Sequence, residues 1–203
     1  MDALSVTPLI GRRVRLELLR SCHVPDLVVA ATQDRRTFAY TVVPGDEVSM
    51  AAHVTGLLED YDHGLVVPFV QVDVASDRVV GMTRYLTIRS RPGERFPFAV
   101  EIGGTWLAAS AQRSGVNTEA KFLLLRHAFE EWGVARVDLK TDDRNERSKA
   151  AIARLGATFE GVLRHWQPSQ LAGEESLYRD TAMFSIIDAQ WPSVADRLAV
   201  LMR

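Results

Sequence analysis

Residues 101–120 read Glu-Ile-Gly-Gly-Thr-Trp-Leu-Ala-Ala-Ser-Ala-Gln-Arg-Ser-Gly-Val-Asn-Thr-Glu-Ala. An apolar strand there enters a helix through a glycine-bearing turn. Such a turn aims several unpaired backbone N–H groups at one point, and the helix dipole adds partial positive charge. Arg113 places a fixed cation beside them. The chemistry this suits is the holding of a phosphate or pyrophosphate, although one glycine before a helix is also the mark of a plain turn. No Gly-Lys-Ser/Thr follows, so this is not a Walker loop. Gly-x-Gly-x-x-Gly is absent as well, which sets aside a dinucleotide fingerprint.

Other reactive side chains carry weaker signals. His23, His53, His63, His127 and His165 form no metal-ligand spacing with one another, with Cys22 or with carboxylates, so no metal is expected. His127 falls on the helix after the loop, as a packed or exposed residue. His165, next to Trp166, reads as an exposed loop histidine or as lining for an acceptor cleft. Cys22 lacks a partnered histidine and reads as structural. Asp142-Asp143-Arg144 reads as a solvated turn. Arg84 and Tyr85 could face a cleft from the strand before the motif.

The elements that must position these residues follow from pattern and punctuation. Strands are predicted at Val14–Leu19, Leu65–Val74, Arg78–Ile88, Phe98–Leu107, Ala135–Thr141, Thr158–His165 and Thr181–Ile187. Helices are predicted from Pro25 to Thr32, from the Asp46 cap to His63, from Thr118 to Trp132, from Asn145 to Leu155, and over the tail from Trp191. Gly64, Gly133 and Gly156 stand as helix stops. This is an α+β order around a mixed sheet. No Pro/Gly/Ser-rich linker divides residues 1–203, so a single domain is expected.

Composition narrows the function classes. The chain has 203 residues, enough for a sizeable core without staples, and 47% of them are hydrophobic. A formal net charge of −2 supplies no global basic field for nucleic acid or an anionic membrane. The lone Cys22 allows no intrachain disulfide, and no basic-then-apolar leader opens the chain; both fit a cytoplasmic setting.

The segment from Glu101 to Ala120 resembles motif A of the general-control-related N-acetyltransferase (GNAT) superfamily, whose loop reads Gln/Arg-x-x-Gly-x-Gly/Ala. It is most similar to the branch containing the ribosomal-protein N-terminal-alanine acetyltransferases (RimJ/RimL type), through Glu101-Ile102-Gly103 and Gly115-Val116-Asn117-Thr118-Glu119-Ala120. A second block resembles that branch too: Asp143-Arg144-Asn145-Glu146-Arg147-Ser148, then Leu155-Gly156-Ala157, then Glu160-Gly161-Val162-Leu163-Arg164, with Arg179-Asp180 before the last strand. The resemblance covers about residues 8–192. Asn117 stands where the general motif has Gly or Ala, and Asn tolerates unusual backbone angles better than most residues.

The resemblance implies a GNAT fold, with a mostly antiparallel twisted sheet splayed between two parallel strands. It also implies acetyl-CoA as acyl donor and cosubstrate, and an amine acceptor. Backbone groups of Trp106 and Leu107 would pair with the pantetheine arm, residues Gln112, Arg113, Ser114, Gly115, Val116, Asn117 and Thr118 would hold the pyrophosphate, and Asn145 would bond the pantetheine. Glu101 is implied as general base, in a strand where burial would strengthen it; the alternative is a surface carboxylate. Ser148 is implied as the acid for the leaving thiolate. Ser148, Ile152 and Leu155 share one helix face, though a first-turn serine also serves helix ends. The expected reaction is direct attack by an amine, of a protein N-terminus or a small molecule, in a ternary complex. Alternatives are an idle acyl-CoA sensor or interaction module, and a succinyl-transferring or antibiotic-modifying enzyme. A homodimer also fits the branch.

Overall fold

The computed structural model describes residues 4, 6–171, 173, 174 and 176–202. Eight strands form one sheet: β1 (Leu9–Ile10), β2 (Val14–Leu18), β3 (Val67–Asp73), β4 (Arg78–Arg89), β5 (Ala99–Leu107), β6 (Arg136–Asp142), β7 (Thr158–Pro168) and β8 (Tyr178–Ile187). Among the described residues five α-helices accompany them: α1 (Val24–Thr32), α2 (Glu47–Asp62), α3 (Val116–Arg126), α4 (Glu146–Leu155) and α5 (Trp191–Leu201). The strand order is β1-β2-β3-β4-β5-β6-β8-β7. Every pairing is antiparallel except β5 with β6. A parallel pair needs a long crossover, and α3 supplies it. The expected α+β architecture with two central parallel strands is therefore present. No described helix is long and apolar enough to cross a membrane.

Helix ends obey local chemistry. Asp46 caps α2 by accepting from the Ser49 amide at 2.9 Å, and Asn145 caps α4 through the Ser148 amide at 3.0 Å. Gly156 closes α4 in the left-handed region, φ 101°.

Alternation along β4 sends Tyr85 and Arg84 to opposite faces. Tyr85 is fully buried and its hydroxyl donates to the Leu124 carbonyl of α3 at 2.6 Å. Its ring lies 4.7 Å from Trp132 and 5.9 Å from Phe69, so this face is core. Beyond it, Phe129 stacks on Trp191 of α5 at 5.3 Å. On the opposite face Trp106 meets Phe38, from the segment between α1 and α2, edge-on at 5.7 Å.

Three boundaries differ from expectation. A short edge strand, β1, precedes β2, too brief at two residues to carry a periodicity. The last strand begins at Tyr178 rather than Thr181, so Arg179 lies inside the sheet instead of before it. The regular α-helix of α3 runs from Val116 to Arg126 and is followed by a π-turn over His127–Glu131, which the continuous apolar pattern concealed.

Candidate active site

β5 and β6 stay hydrogen-bonded only over Ala99–Glu101 against Arg136–Asp138. Past that point the strands run on to Leu107 and Asp142 without pairing, so the sheet opens between them while both remain anchored on their outer neighbours. Such a wedge presents an unpaired strand edge, which an extended ligand can use as another strand.

The loop and α3 stand at the open end. Arg113 (φ 61°) and Gly115 (φ 89°) take the left-handed conformation, which turns the chain sharply into Val116. Asn117 is the second helical residue and needs no special backbone angle, so the departure from the Gly/Ala pattern falls where it does not strain the turn. The first-turn amides of Val116, Asn117 and Thr118 have no intrahelical acceptor four residues back. Val116 N–H has only a long 3.4 Å contact with the Ser114 hydroxyl. Ser114 itself donates to the Ala111 carbonyl at 2.6 Å. A Cβ on Gly115 would fall 2.3 Å from Nη1 of Arg13, so the turn is pressed against the start of β2.

Glu119 fixes that contact. Its buried carboxylate accepts three main-chain hydrogen bonds, from Arg12 at 3.0 Å, Arg13 at 2.6 Å and Val14 at 2.9 Å. Three amides on one carboxylate hold the N-terminal turn of α3 at a set distance from the sheet. The motif contained this residue, but its role required knowing that β2 passes nearby.

Gln112 donates to the Leu107 carbonyl at 3.1 Å, occupying one of the main-chain acceptors assigned to the pantetheine. The Trp106 carbonyl receives a longer contact of 3.4 Å from Gln71. Arg147 of α4 reaches the Gln112 side chain at 3.4 Å and the Thr37 carbonyl at 2.8 Å, and so straps three segments across the mouth. Beside it a cavity of about 300 Å³ is lined by Arg36, Thr37, Tyr40, Arg144, Asn145 and Arg147 among others. Tyr40 thus borders a cavity rather than the core, whereas Phe38 packs on Trp106.

Glu101 is 3% exposed and sits where β5 and β6 part. Its Oε2 accepts from the Thr87 hydroxyl at 3.0 Å and pairs with Lys140 Nζ at 3.0 Å. A Cβ on Gly103 would come within 3.0 Å of Oε1, so glycine two residues on keeps space for the carboxylate. Ser148 lies in the first turn of α4, its amide held by Asn145. Its hydroxyl makes no hydrogen bond among the described residues. Asn145 spends its side-chain oxygen on the cap and keeps its amide nitrogen for another partner.

Lys121 of α3 is buried under β5. Its ammonium meets Thr105 Oγ1 at 2.6 Å and Thr83 Oγ1 at 3.4 Å. Burial pushes its pKa down to about 7, with Glu101 acting in the opposite sense. No periodicity marks such a lysine as interior. Arg84 faces the site side, but Tyr85 does not, a correction forced by strand alternation. His127 packs edge-on against Trp132 beside Tyr85, and His165 is exposed at φ 49° and stacks on Tyr178. Among the described residues no cluster of three His, Cys, Asp or Glu could hold a metal.

Comparison with known proteins agrees with this geometry. Residues 13–158 match the acetyltransferase (GNAT) domain family. No curated protein matches. Among solved structures, a GCN5-related N-acetyltransferase from Brucella melitensis superposes with TM-score 0.83 at 25% identity, over 100% of this chain and 88% of that one. A protein from T. thermophilus assigned as an acetyltransferase gives TM-score 0.80 at 32% identity, over 98% and 99%. Mycobacterium smegmatis RimJ, in complex with CoA-disulfide, gives 0.77 at 22% identity, over 94% and 90%, so the fold is also that of a RimJ-type structure.

The chain belongs to the GNAT acetyltransferase family. It is an acyl-CoA-dependent N-acetyltransferase with a RimJ/RimL-like fold.

Proposed function

We propose that this enzyme moves an acetyl group from acetyl-CoA to a primary amine by direct attack in a ternary complex. The observation that carries this is the wedge: β5 and β6 part just beyond Glu101, near the N-terminal turn of α3, whose first amides lack intrahelical acceptors. The Brucella melitensis and T. thermophilus relatives align over nearly the full chain, which supports extending the family's chemistry to this site.

In the proposed complex the open edge of β5 near Trp106 and Leu107 takes the pantetheine. The amides and side chains of Gln112 to Thr118 take the pyrophosphate, and the Asn145 amide nitrogen bonds the pantetheine. The amine nitrogen forms a bond to the acyl carbon as the carbon–sulfur bond breaks. A main-chain N–H near Leu107 stabilises the developing oxyanion. Glu101 accepts the proton shed by the amine, directly or through a water molecule, and Ser148 supplies the proton taken by the thiolate. The Lys140 contact and the Thr87 hydroxyl orient the Glu101 carboxylate for this task.

The test is a thermal-shift titration with acetyl-CoA, succinyl-CoA and free CoA, since a ligand that binds only the native state raises the melting temperature. We expect a saturable shift, largest for acetyl-CoA, followed by CoA release with an amine. A shift of that kind without turnover across an amine panel would favour an idle sensor. No shift near a millimolar ligand would overturn the cofactor assignment.

A further inference from the structure

Register and alternation gather five polar side chains on one face of the sheet around the wedge. Arg84 lies opposite Gly103, two residues from Glu101. Glu101 pairs in register with Asp138, two residues before Lys140. Lys140 lies opposite Met183 of β8, and Thr181 and Arg179 follow at the next two same-face positions. Four strands thus contribute Arg84, Glu101, Lys140, Arg179 and Thr181 to one surface, with the opening of β5 and β6 running between them.

The charge on that surface does not balance. Glu101 is satisfied by Lys140 and Thr87. Arg84 and Arg179 make no ion pair among the described residues, and the Nε of each is buried without an acceptor. Arg179 is only 7% exposed. Thr181 is fully buried and its hydroxyl likewise has no partner among the described residues. Other carboxylates offset the excess only through their fields. Asp142 attracts Arg179, but its side chain is 2% exposed and its three hydrogen bonds, at 3.0, 3.0 and 2.8 Å, go to Arg144. Glu101 and Asp60 attract Arg84, and Glu101 also attracts Arg179, without a hydrogen bond to either guanidinium among the described residues. Burial is the largest influence on both arginines and disfavours their charge. A buried guanidinium nitrogen without an acceptor is costly, so two such nitrogens beside a reactive carboxylate call for an anion supplied from outside.

Building on the acetyl-CoA reading, we infer that the acceptor is a small amino acid, whose carboxylate is held by Arg84, Arg179 and Thr181 while its amine faces Glu101. The arginines flank Glu101 from both sides of the wedge, so the anion must lie a few bonds from the nucleophilic nitrogen. A polypeptide N-terminus carries an amide carbonyl at that distance, and a polycationic drug would meet repulsion there. Arginine suits the role because its planar fork matches a carboxylate.

The experiment follows thiol release from acetyl-CoA with each free L-amino acid and with its carboxamide. We expect at least one acid to be acetylated, with kcat/KM at least tenfold above that of its amide. In Arg179→Gln and Arg84→Gln that acid-to-amide ratio should fall towards one, mainly through a higher KM for the acid. The ratio is independent of how much of each variant folds. Equal rates for acids and amides, acetylation confined to peptide N-termini, or an unchanged ratio in both variants would overturn the inference. Acetyl-CoA binding measured calorimetrically on the same samples separates its failure from failure of the cofactor assignment.

Discussion

The proposed cofactor end and the proposed acceptor end of this site are built in different ways. The cofactor end is one run of chain: β5, the turn at Arg113–Gly115 and the first turn of α3 follow each other within about twenty residues. The groups proposed to bind there are main-chain amides whose direction is set once the helix begins. The acceptor end is assembled from side chains on β4, β5, β6 and β8, separated by up to 97 positions from Arg84 to Thr181. It depends on register, so an error of one residue in any strand would turn its charges to the other face. The cofactor end should therefore fail by loss of a local shape, and the acceptor end by loss of a charge.

The largest expected effect is at the acceptor end. Glu101→Gln removes the proton acceptor while keeping the shape, and turnover should fall by roughly 10²–10⁴. Acetyl-CoA affinity, which rests on the other end, should stay within a factor of about two. Steady-state kinetics with calorimetry checks this; a loss of turnover below tenfold would remove Glu101 as base. Ser148→Ala should produce a smaller fall with the same unchanged affinity, and full activity would leave Ser148 as part of the helix start.

At the cofactor end the strongest effect is structural. Glu119→Ala leaves three main-chain donors, at Arg12, Arg13 and Val14, without their acceptor. A cost of about 3 kcal/mol is expected, a fall in melting temperature of roughly 6–12 °C for a chain this size. The α3 turn would also lose its anchor, so acetyl-CoA affinity should drop in whatever fraction stays folded. Stability unchanged by differential scanning calorimetry would show that the carboxylate does not position α3.

These two results would also explain which parts are legible in the sequence. The loop, its helix and the helix caps at Asp46 and Asn145 are local, and residue type alone announces them. Glu101 is visible because it sits in the same run. Lys140, Arg179 and Thr181 are not, since nothing in an alternating strand distinguishes a charge facing water from one facing a cleft. Arg179 is further hidden by the late predicted start of β8. Glu119 stands in the motif, yet its three amide partners lie about 105 residues away in sequence. Asn117 is the reverse case: it departs from the motif in plain view, yet the left-handed angles belong to Arg113 and Gly115.

Gly115→Glu sharpens the contrast within the cofactor end. It places a side chain in the left-handed region and against Arg13, and a negative charge at the phosphate position. Acetyl-CoA binding should weaken at least tenfold, with a melting temperature several degrees lower. Arg113→Gly is the counterpart: it relieves the φ of 61° and removes the cation. It should leave stability equal or raised by about 1 kcal/mol while still weakening acetyl-CoA. Affinity unaltered in both variants by calorimetry would place the phosphates elsewhere.

An effect seen only against pH belongs to Lys121, which lies beneath β5. Its pKa is lowered to about 7 by burial, so the folded protein sheds this proton near neutrality while the unfolded chain keeps it up to its ordinary range. The unfolded state then binds more protons between those limits, and this residue's contribution to stability rises as pH increases through that window, by at most about 1.4 kcal/mol per pH unit. Lys121→Met removes the titration. Its melting temperature relative to the parent should be most favourable near pH 6 and should lose ground steadily towards pH 10. A difference independent of pH would mean that the ammonium keeps its proton in the fold, held by Thr105, Thr83 and the field of Glu101. Lys121 would then supply a permanent positive charge under the opening of the sheet, to be counted with Arg84, Lys140 and Arg179 in drawing an anionic acceptor to Glu101.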